Sequence, residues 1–353
     1  MTQRNDKLDF IKGLLIIGVV YGHILNAVRM DTNTSFWIVR LIRTFDMPMF
    51  MLIGGYFLSK SILKYEPVKY ALNKVTNLIA PLIIWCVLMN LTRMILTGQF
   101  DIVQTVKFIL SYWFIWAIFI CSIVYIGLSL IKCKILRLVC VIAIGIIWHV
   151  IPPQYTFNLS YVYVFFSIGF YLDSILDILP KKFIKVGNII FIIVFIVLMC
   201  FWNTDYTIWN TSGYLLEDTA HRIAIAVYRF LIGLTGIITA YTVYGFLYSA
   251  CKKDNIISRI GKTSLMNYII HPFIISIVFN PIIRLLIEKL GYNVFTYNVL
   301  VSELIFAPIV AFVISFLIEF AITLIKRIPY VGKYAFGFNI CNARTENTKN
   351  EKI

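Results

Sequence analysis

The chain has 353 residues, of which 60% are hydrophobic and only 14% are charged, and its mean hydropathy is +0.85. A water-soluble protein carries about a quarter charged residues, so the composition excludes an ordinary soluble enzyme or binding domain. The net charge of +15 does not indicate nucleic-acid binding, because the Lys and Arg residues lie in short loops and tails between apolar runs, where they orient membrane proteins.

Apolar runs long enough to cross a hydrocarbon core of about 30 Å recur along the whole chain. They predict an all-α, polytopic integral membrane protein with about ten transmembrane helices, forming one membrane domain over residues 1–325. The polar stretch 326–353 is expected to be a cytoplasmic tail that frays. The predicted spans are Leu8–Val28, Phe36–Leu58, Val75–Leu96, Phe108–Ile131, Ile135–Ile151, Asn158–Leu172, Val186–Trp202, Ile223–Tyr248, Ser264–Ile287 and Val299–Ile325.

The distribution of basic residues predicts the orientation of these spans. With the N-terminus inside, most of the 32 Lys and Arg residues fall in segments on the inner side. Only Arg29, Lys107, Arg222 and Lys289 fall in the outside loops. Cytoplasmic loops of membrane proteins carry an excess of Lys and Arg, so both termini are predicted to be cytoplasmic.

The first predicted span carries two ionisable residues, Lys12 and His23. Such groups are costly inside a bilayer and are therefore candidates for a functional site that faces the protein interior. Eleven helical steps place the two residues within about 20° of each other on one helix face, roughly 16 Å apart along the axis. The alternatives are that Lys12 snorkels to the inner headgroups or pairs with Asp9, and that His23 is a buried neutral histidine bonded to a backbone carbonyl.

The second span carries Arg40, Arg43 and Asp46, which recur every three residues and so share one helix stripe. They predict a polar cleft near His23, in which Asp46 or the arginines orient that histidine or a substrate. The alternative is an Arg43–Asp46 ion pair that only neutralises two buried charges. Further cations within spans, which suggest a polar cavity or interfacial anchors, are Arg93, Arg229 and Arg284.

The ninth span contains His271, followed by the helix-disturbing Pro272. A kink that aims polar groups inward and simple packing are both compatible with this pattern. His149 and His221 lie at an outer end and in an outer loop, and no role is expected for either. The four histidines are too scattered along the chain to predict a metal site.

Three segments together resemble the membrane acyltransferase family 3, which acylates bacterial surface glycans and related acceptors. In the first, Lys12 and His23 match the family's basic residue followed, after ten positions, by histidine. The second segment runs from Phe45 to Tyr56 and the third from Ile260 to His271, and Tyr112-Trp113-Phe114 also fits the family pattern. The resemblance covers the whole chain in helix order.

Two positions depart from the family pattern. Asp46 stands where the family commonly has histidine, so the role of that histidine does not transfer directly. The family's pair of basic residues before the proline of the third helix appears here as Lys74 and Asn77, ahead of Pro81. Half of this pair is missing, which weakens the expectation of donor contacts there.

The resemblance implies transfer of an acyl group, in the simplest case acetyl, from cytosolic acyl-CoA to a hydroxyl of a cell-surface glycan or lipid-linked sugar. The CoA is a donor substrate, with no resident cofactor and no metal, and the expected location is the bacterial cytoplasmic membrane. His23 is expected to be the general base, because an imidazole titrates near neutral pH, and Asp46 is the second catalytic candidate. A basic inner mouth of Lys12, Lys74 and Lys262 would receive the CoA phosphates.

The remaining substrate-binding candidates are Arg40, Arg43, Arg93 and His271. The same polar groups fit a second function, a polysaccharide or glycolipid transporter or flippase that forms no bond. The spacing of Lys12 and His23, combined with the third segment, favours the enzyme. A purely structural membrane protein would leave the ionisable residues within the spans unexplained.

Overall fold

The computed structural model describes residues 5–337 except 30–36, 63, 65, 99–100, 152–154, 203–218, 291–300 and 326–327. Within these residues the regular structure is entirely helical. In chain order the helices are α1 (Asp6–Arg29), α2 (Trp37–Ile62), α3 (Pro67–Lys74), α4 (Ala80–Thr97), α5 (Ile102–Ser111), α6 (Trp113–Ser129), α7 (Lys134–Val150), α8 (Leu159–Phe170), α9 (Leu172–Ile178), α10 (Lys181–Cys200), α11 (Thr219–Ser249), α12 (Ile256–Lys262), α13 (Ser264–Ile274), α14 (Asn280–Leu290), α15 (Ala307–Ile325) and α16 (Pro329–Tyr334). Three π-helical segments, Val75–Ile79, Ile275–Phe279 and Val301–Phe306, join or extend these helices.

Six helical segments among the described residues are long and apolar enough to cross a membrane, and the number rises to eight if each of two bent helix pairs counts as one span. The other two predicted spans are shorter: α7 has 17 residues, and the apolar part of α10 is Gly187–Cys200. The chain is therefore a multi-pass α-helical membrane protein, as predicted. The count of ten, the cytoplasmic termini and the boundary at residue 325 stay predictions.

The predicted fourth span, Phe108–Ile131, is interrupted in the structure. Helix α5 ends at Ser111, and Tyr112 adopts φ −78° and ψ 53°, which is outside the helical region. Helix α6 then begins at Trp113. Hydropathy does not predict this break, because an uninterrupted apolar run predicts a continuous helix.

The helices group into two compact units that alternate along the chain. Unit 1 contains Met1–Thr34, Leu72–Tyr112 and Cys251–Ile353, and unit 2 contains Ser35–Ala71 and Trp113–Ala250. Each unit therefore has a core of its own, assembled from segments distant in sequence.

In unit 1, α1 packs against α12 and α15, and two glycines allow the first of these contacts. A Cβ atom at Gly261 would lie 1.7 Å from the Asp9 carbonyl oxygen, and one at Gly13 would lie 2.1 Å from the Ile257 carbonyl oxygen. The backbones of α1 and α12 therefore touch at a distance that only glycine permits. This contact joins the first and third family-like segments.

In unit 2, α2 packs against α8 by the same device. A Cβ at Gly55 would meet the Phe166 carbonyl oxygen at 2.1 Å, and a Cβ at Gly169 would meet that of Leu52 at 1.9 Å. Small residues that let backbones approach closely are typical of helix contacts in membranes. Gly55 belongs to the second family-like segment, so this part of the segment has a packing role.

Residues 328–337 pack within unit 1. Helix α16 is followed by Ala335, whose carbonyl accepts a hydrogen bond from the Trp85 indole nitrogen at 3.0 Å, and by buried Phe336. Trp85 and Phe336 also meet edge to face. The expectation that the whole tail frays is wrong for residues 328–337, because these aromatic contacts fix them.

Candidate functional site

The centre of the candidate site is a pair of histidines in unit 1. The His23 ring of α1 and the His271 ring of α13 lie with their centroids 4.9 Å apart and their planes at 51°. His23 is exposed, whereas His271 is 1% exposed. The alternative considered for His23, a buried neutral histidine bonded to a backbone carbonyl, thus describes His271 instead.

The tautomer of His271 follows from its hydrogen bond. His271 Nδ1 lies 2.8 Å from the Asn267 carbonyl oxygen, one helical turn earlier. A carbonyl oxygen only accepts, so Nδ1 carries the proton and Nε2 carries a lone pair. Nε2 is buried and has no hydrogen-bond partner among the described residues. The site therefore holds a preset proton acceptor next to an accessible imidazole.

A π-helical segment follows the helix that contains His271 and Pro272. Helix α13 continues through Pro272 to Ile274, and the π segment Ile275–Phe279 follows at once. Insertions of this kind occur frequently at functional sites. They change the helix register just beyond His271.

Two tyrosines border the histidine pair. The Tyr112 hydroxyl donates to the Ile269 carbonyl oxygen at 2.8 Å, and its ring meets that of Tyr268 at 6.0 Å. The Tyr268 ring in turn lies 6.0 Å from that of His271. The non-helical backbone at Tyr112 thus has a structural reason, because the break directs this side chain against α13.

The lysines predicted to form the inner mouth have acidic neighbours. Lys12 Nζ lies 2.7 Å from Asp9 Oδ1, and this carboxylate is only 3% exposed. Lys262 pairs with Asp254. The ion-pair alternative for Lys12 is therefore realised in the structure, and a phosphate would compete with Asp9 for this cation.

The other predicted donor-side residues of unit 1 are placed less centrally. Lys74 ends α3 and is half-buried, directly before the π segment Val75–Ile79. Arg93 is exposed, near the C-terminal end of α4. Their roles as donor contacts stay predictions.

Asp46 lies in a buried polar cluster of unit 2. Its Oδ1 accepts a hydrogen bond from the Met47 amide at 2.6 Å, and the residue is 5% exposed. Arg43, Tyr161 and Tyr244 lie within electrostatic range of it. The placement of Arg43 agrees with the alternative in which the two charges offset each other's burial, and the catalytic role of Asp46 stays a prediction.

The remaining cations also have identifiable surroundings in unit 2. The Arg40 guanidinium lies over the Trp202 ring, 4.6 Å from its centroid, in a cation–π contact. Arg229 is 7% exposed and borders a cavity together with Tyr161. The side chain of Arg284 lies outside the described residues.

Two buried acids in the last span were missed by the sequence reasoning. Glu319 accepts three hydrogen bonds from Arg259 at 3.0 to 3.1 Å and another from Thr323 at 3.0 Å. Glu303 is 3% exposed and lies within electrostatic range of Tyr21. The available signal was an acidic residue within an apolar run, because an acid inside a span is as costly as a cation and equally indicates a site that faces the protein interior.

Three contacts thus bring the family-like segments of unit 1 together. They are the contact between the His23 and His271 rings, the glycine contact between α1 and α12, and the hydrogen bond from Tyr112 to α13. A family model described as an acyltransferase domain matches residues 5–326. The chain belongs to acyltransferase family 3. This family comprises enzymes that transfer acyl groups other than amino-acyl groups. No cluster of three or more His, Cys, Asp or Glu residues able to hold a metal ion occurs in the described part of the chain.

Curated relatives cover part of the chain. Nodulation protein NolL of Sinorhizobium fredii is 31% identical over 183 residues, which are 48% of this chain and 49% of that protein. Nodulation protein NolL of Mesorhizobium japonicum is 30% identical over 178 residues, 48% of each. The match thus spans about half the length of these relatives. No solved structure gives a significant match.

Proposed function

We propose that this protein transfers an acetyl group from cytosolic acetyl-CoA to a hydroxyl of a cell-surface glycan or lipid-linked sugar. The observation that carries the proposal is the histidine pair, in which exposed His23 lies against buried His271. Family membership supports acyl transfer, and the pair supplies the base that such a transfer requires.

His23 is proposed as the general base, because its ring is accessible to an acceptor. His23 takes the proton of the acceptor hydroxyl while the hydroxyl oxygen attacks the thioester carbonyl. The carbon–sulfur bond then breaks and the ester is formed. The protonated His23 gives its proton to the CoA thiolate that leaves. General-base assistance of this kind is worth about 10²–10⁴-fold in rate.

His271 is proposed to position His23. The Nε2 lone pair of His271, preset by the Asn267 carbonyl, offers the adjacent His23 ring a hydrogen-bond acceptor. Tyr112 and Tyr268 hold the backbone and ring around His271. A fixed environment of this kind keeps the base in a reactive geometry.

The donor is proposed to approach from the inner end of α1. Lys12 and Lys74 would contact the CoA phosphates as point charges, and phosphate would replace Asp9 as the partner of Lys12. Lys262 is a weaker candidate, since Asp254 already neutralises it. Arg40, Arg43, Arg93 and Asp46 stay predicted contacts with substrate or with the site.

The proposed setting is the bacterial cytoplasmic membrane, with ten spans and both termini in the cytoplasm. The alternating distribution of Lys and Arg supports this topology. Reporter fusions test it, and an external signal after Lys182 would contradict it. Reporters are expected to be cytoplasmic after Lys64, Lys182 and Lys253, and external after Gly98 and Ser212.

Mass spectrometry of surface glycans from cells with and without the gene tests the function. Loss of the gene should remove acetyl mass increments from the glycan and leave the amount of glycan unchanged. A transporter would give the opposite pattern, in which total surface glycan falls and the acetyl content of each unit stays constant.

A further inference from the structure

Unit 2 contains a cavity of about 650 Å³ between helices α7, α8 and α11. Its lining residues belong to unit 2, whereas the histidine pair belongs to unit 1. Neither the family nor the proposed acyl transfer assigns it a ligand. Its lining divides into a polar part and an apolar part.

The polar part is formed by side chains near the ends of the three helices. His149 lies in the last turn of α7, Ser160 and Tyr161 lie in the first turn of α8, and Arg222 lies in the first turn of α11. Arg229 is seven residues further along α11, which places it on the same face and about 10.5 Å deeper. None of the described lining residues is acidic, so the cavity favours an anion.

Arg229 is more than a surface cation. It lines the cavity and is only 7% exposed, and hydrogen bonds to a guanidinium are stronger where water is largely excluded. An anion in the cavity would reach it from the open side. The fork geometry of arginine suits the oxygens of a phosphate.

The apolar part lies along the helix walls, between and below the polar groups. Ile146 and Ile142 lie about one and two turns back from His149 on α7, Val164 lies on α8, and Val227 and Phe230 lie on α11. Such a wall suits a hydrocarbon chain and offers nothing to a free sugar or an inorganic ion. The cavity thus has a polar end and an apolar wall, which match the head group and the hydrocarbon chain of a lipid.

We propose that this cavity binds a membrane lipid with a negatively charged phosphate head group. The phosphate lies between Arg222 and Arg229, and the hydrocarbon chain lies along the α7 and α11 walls. The shared chemistry is that of an anionic phospholipid and of a polyprenyl phosphate. The test of this proposal does not depend on the proposed acetyl transfer, since the experiment measures lipid binding.

The test uses the purified full-length protein in detergent micelles and native mass spectrometry. The probes are phosphatidylglycerol and a long-chain polyprenyl phosphate, with phosphatidylcholine as the neutral reference and inorganic phosphate as a competitor. The wild type is expected to bind at least one anionic lipid about tenfold more tightly than phosphatidylcholine. Whichever anionic lipid binds more tightly identifies the source of the phosphate.

Two variants act on the cavity in different ways. Arg222→Ala removes an exposed cation and should weaken anionic-lipid binding roughly tenfold or more. Gly145→Leu fills space at the α7 wall, where an added Cβ meets only Tyr163 at 3.6 Å, and should weaken binding of the chain without any change in charge.

Each variant has a matched control. Lys134→Ala removes an exposed cation at the other end of α7, and Gly127→Leu adds the same side chain on α6, where no atom lies within 4 Å of the new Cβ. Both controls should bind lipid as the wild type does. Unchanged binding in Arg222→Ala and Gly145→Leu, equal binding of phosphatidylcholine, or full competition by inorganic phosphate would overturn the proposal.

Discussion

The contact between α1 and α12 is expected to be among the least tolerant positions of the protein. In Gly261→Ala, the new methyl group would lie 1.7 Å from the Asp9 carbonyl oxygen, whereas ordinary contact begins at 3.4 Å. The two backbones must therefore separate by about 1.7 Å (3.4 less 1.7) at this point. Neither atom belongs to a flexible side-chain end, so the helices themselves have to move.

This separation should reach the histidine pair. His23 lies on α1, and His271 lies on α13, which begins two residues after α12 ends. A misplacement of about 1 Å in a reactive geometry costs on the order of 10²-fold in rate. Overpacking of this kind also costs about 1–3 kcal/mol in stability, so activity should fall more steeply than the amount of folded protein.

A graded series makes the prediction specific. Gly13→Ala brings its Cβ to 2.1 Å from the Ile257 carbonyl oxygen, so it should lose less activity than Gly261→Ala. Gly127→Ala is the control, because its Cβ meets nothing within 4 Å and alanine is a better helix former than glycine.

The assay is acetyl content per glycan unit, normalised to protein in the membrane, with thermal stability of the purified variants measured in parallel. The reasoning predicts the order Gly127→Ala, Gly13→Ala, Gly261→Ala from most to least active. Wild-type activity in Gly261→Ala would show that the close approach of α1 and α12 has no bearing on the reaction.

Two further predictions separate binding from folding. Lys12→Ala should raise the apparent KM for acetyl-CoA while the protein remains stable, and Lys12→Arg should retain part of the activity. If Lys12→Ala loses expression, thermal stability and activity together, the role of Lys12 is limited to its ion pair with Asp9. Arg259→Ala strands the buried Glu319 carboxylate and should destabilise the protein by about 1–3 kcal/mol, less than for a fully buried pair because Arg259 is itself 41% exposed. Lys262→Ala is its control, because it removes the more exposed Lys262–Asp254 pair and should change stability by less than about 1 kcal/mol. An equal loss of stability in both variants would contradict this distinction.

Much of the fold was predictable, because long apolar runs in a sequence predict membrane-spanning helices. The helix containing Lys12 and His23 appears where its hydrophobic pattern placed it. The break at Tyr112 was not predictable, since it depends on a hydrogen bond to Ile269, 157 positions away. Hydropathy reports the solvent around a helix and carries no information about such tertiary contacts.

The site was predictable in its components and not in its pairing. Spacing placed Lys12 and His23 on one helix face, and a proline marked the helix of His271. That His271 would be the buried member of a pair with His23 required the α1–α12 glycine contact, which no local pattern reveals. The role of Glu319 as the partner of Arg259 was missed for a similar reason, because the two residues are 60 positions apart.

The most direct test of the proposed function is the acetyl content of the surface glycan in the His23→Gln variant. Glutamine can form hydrogen bonds but cannot accept a proton at neutral pH, so it preserves the polar surface and removes only the base. Acetyl content per glycan unit should fall about 10²-fold or more, as in His23→Ala, while the protein level in the membrane and the total surface glycan remain unchanged. Wild-type acetyl content in His23→Gln and His23→Ala would contradict the role of His23 as the base.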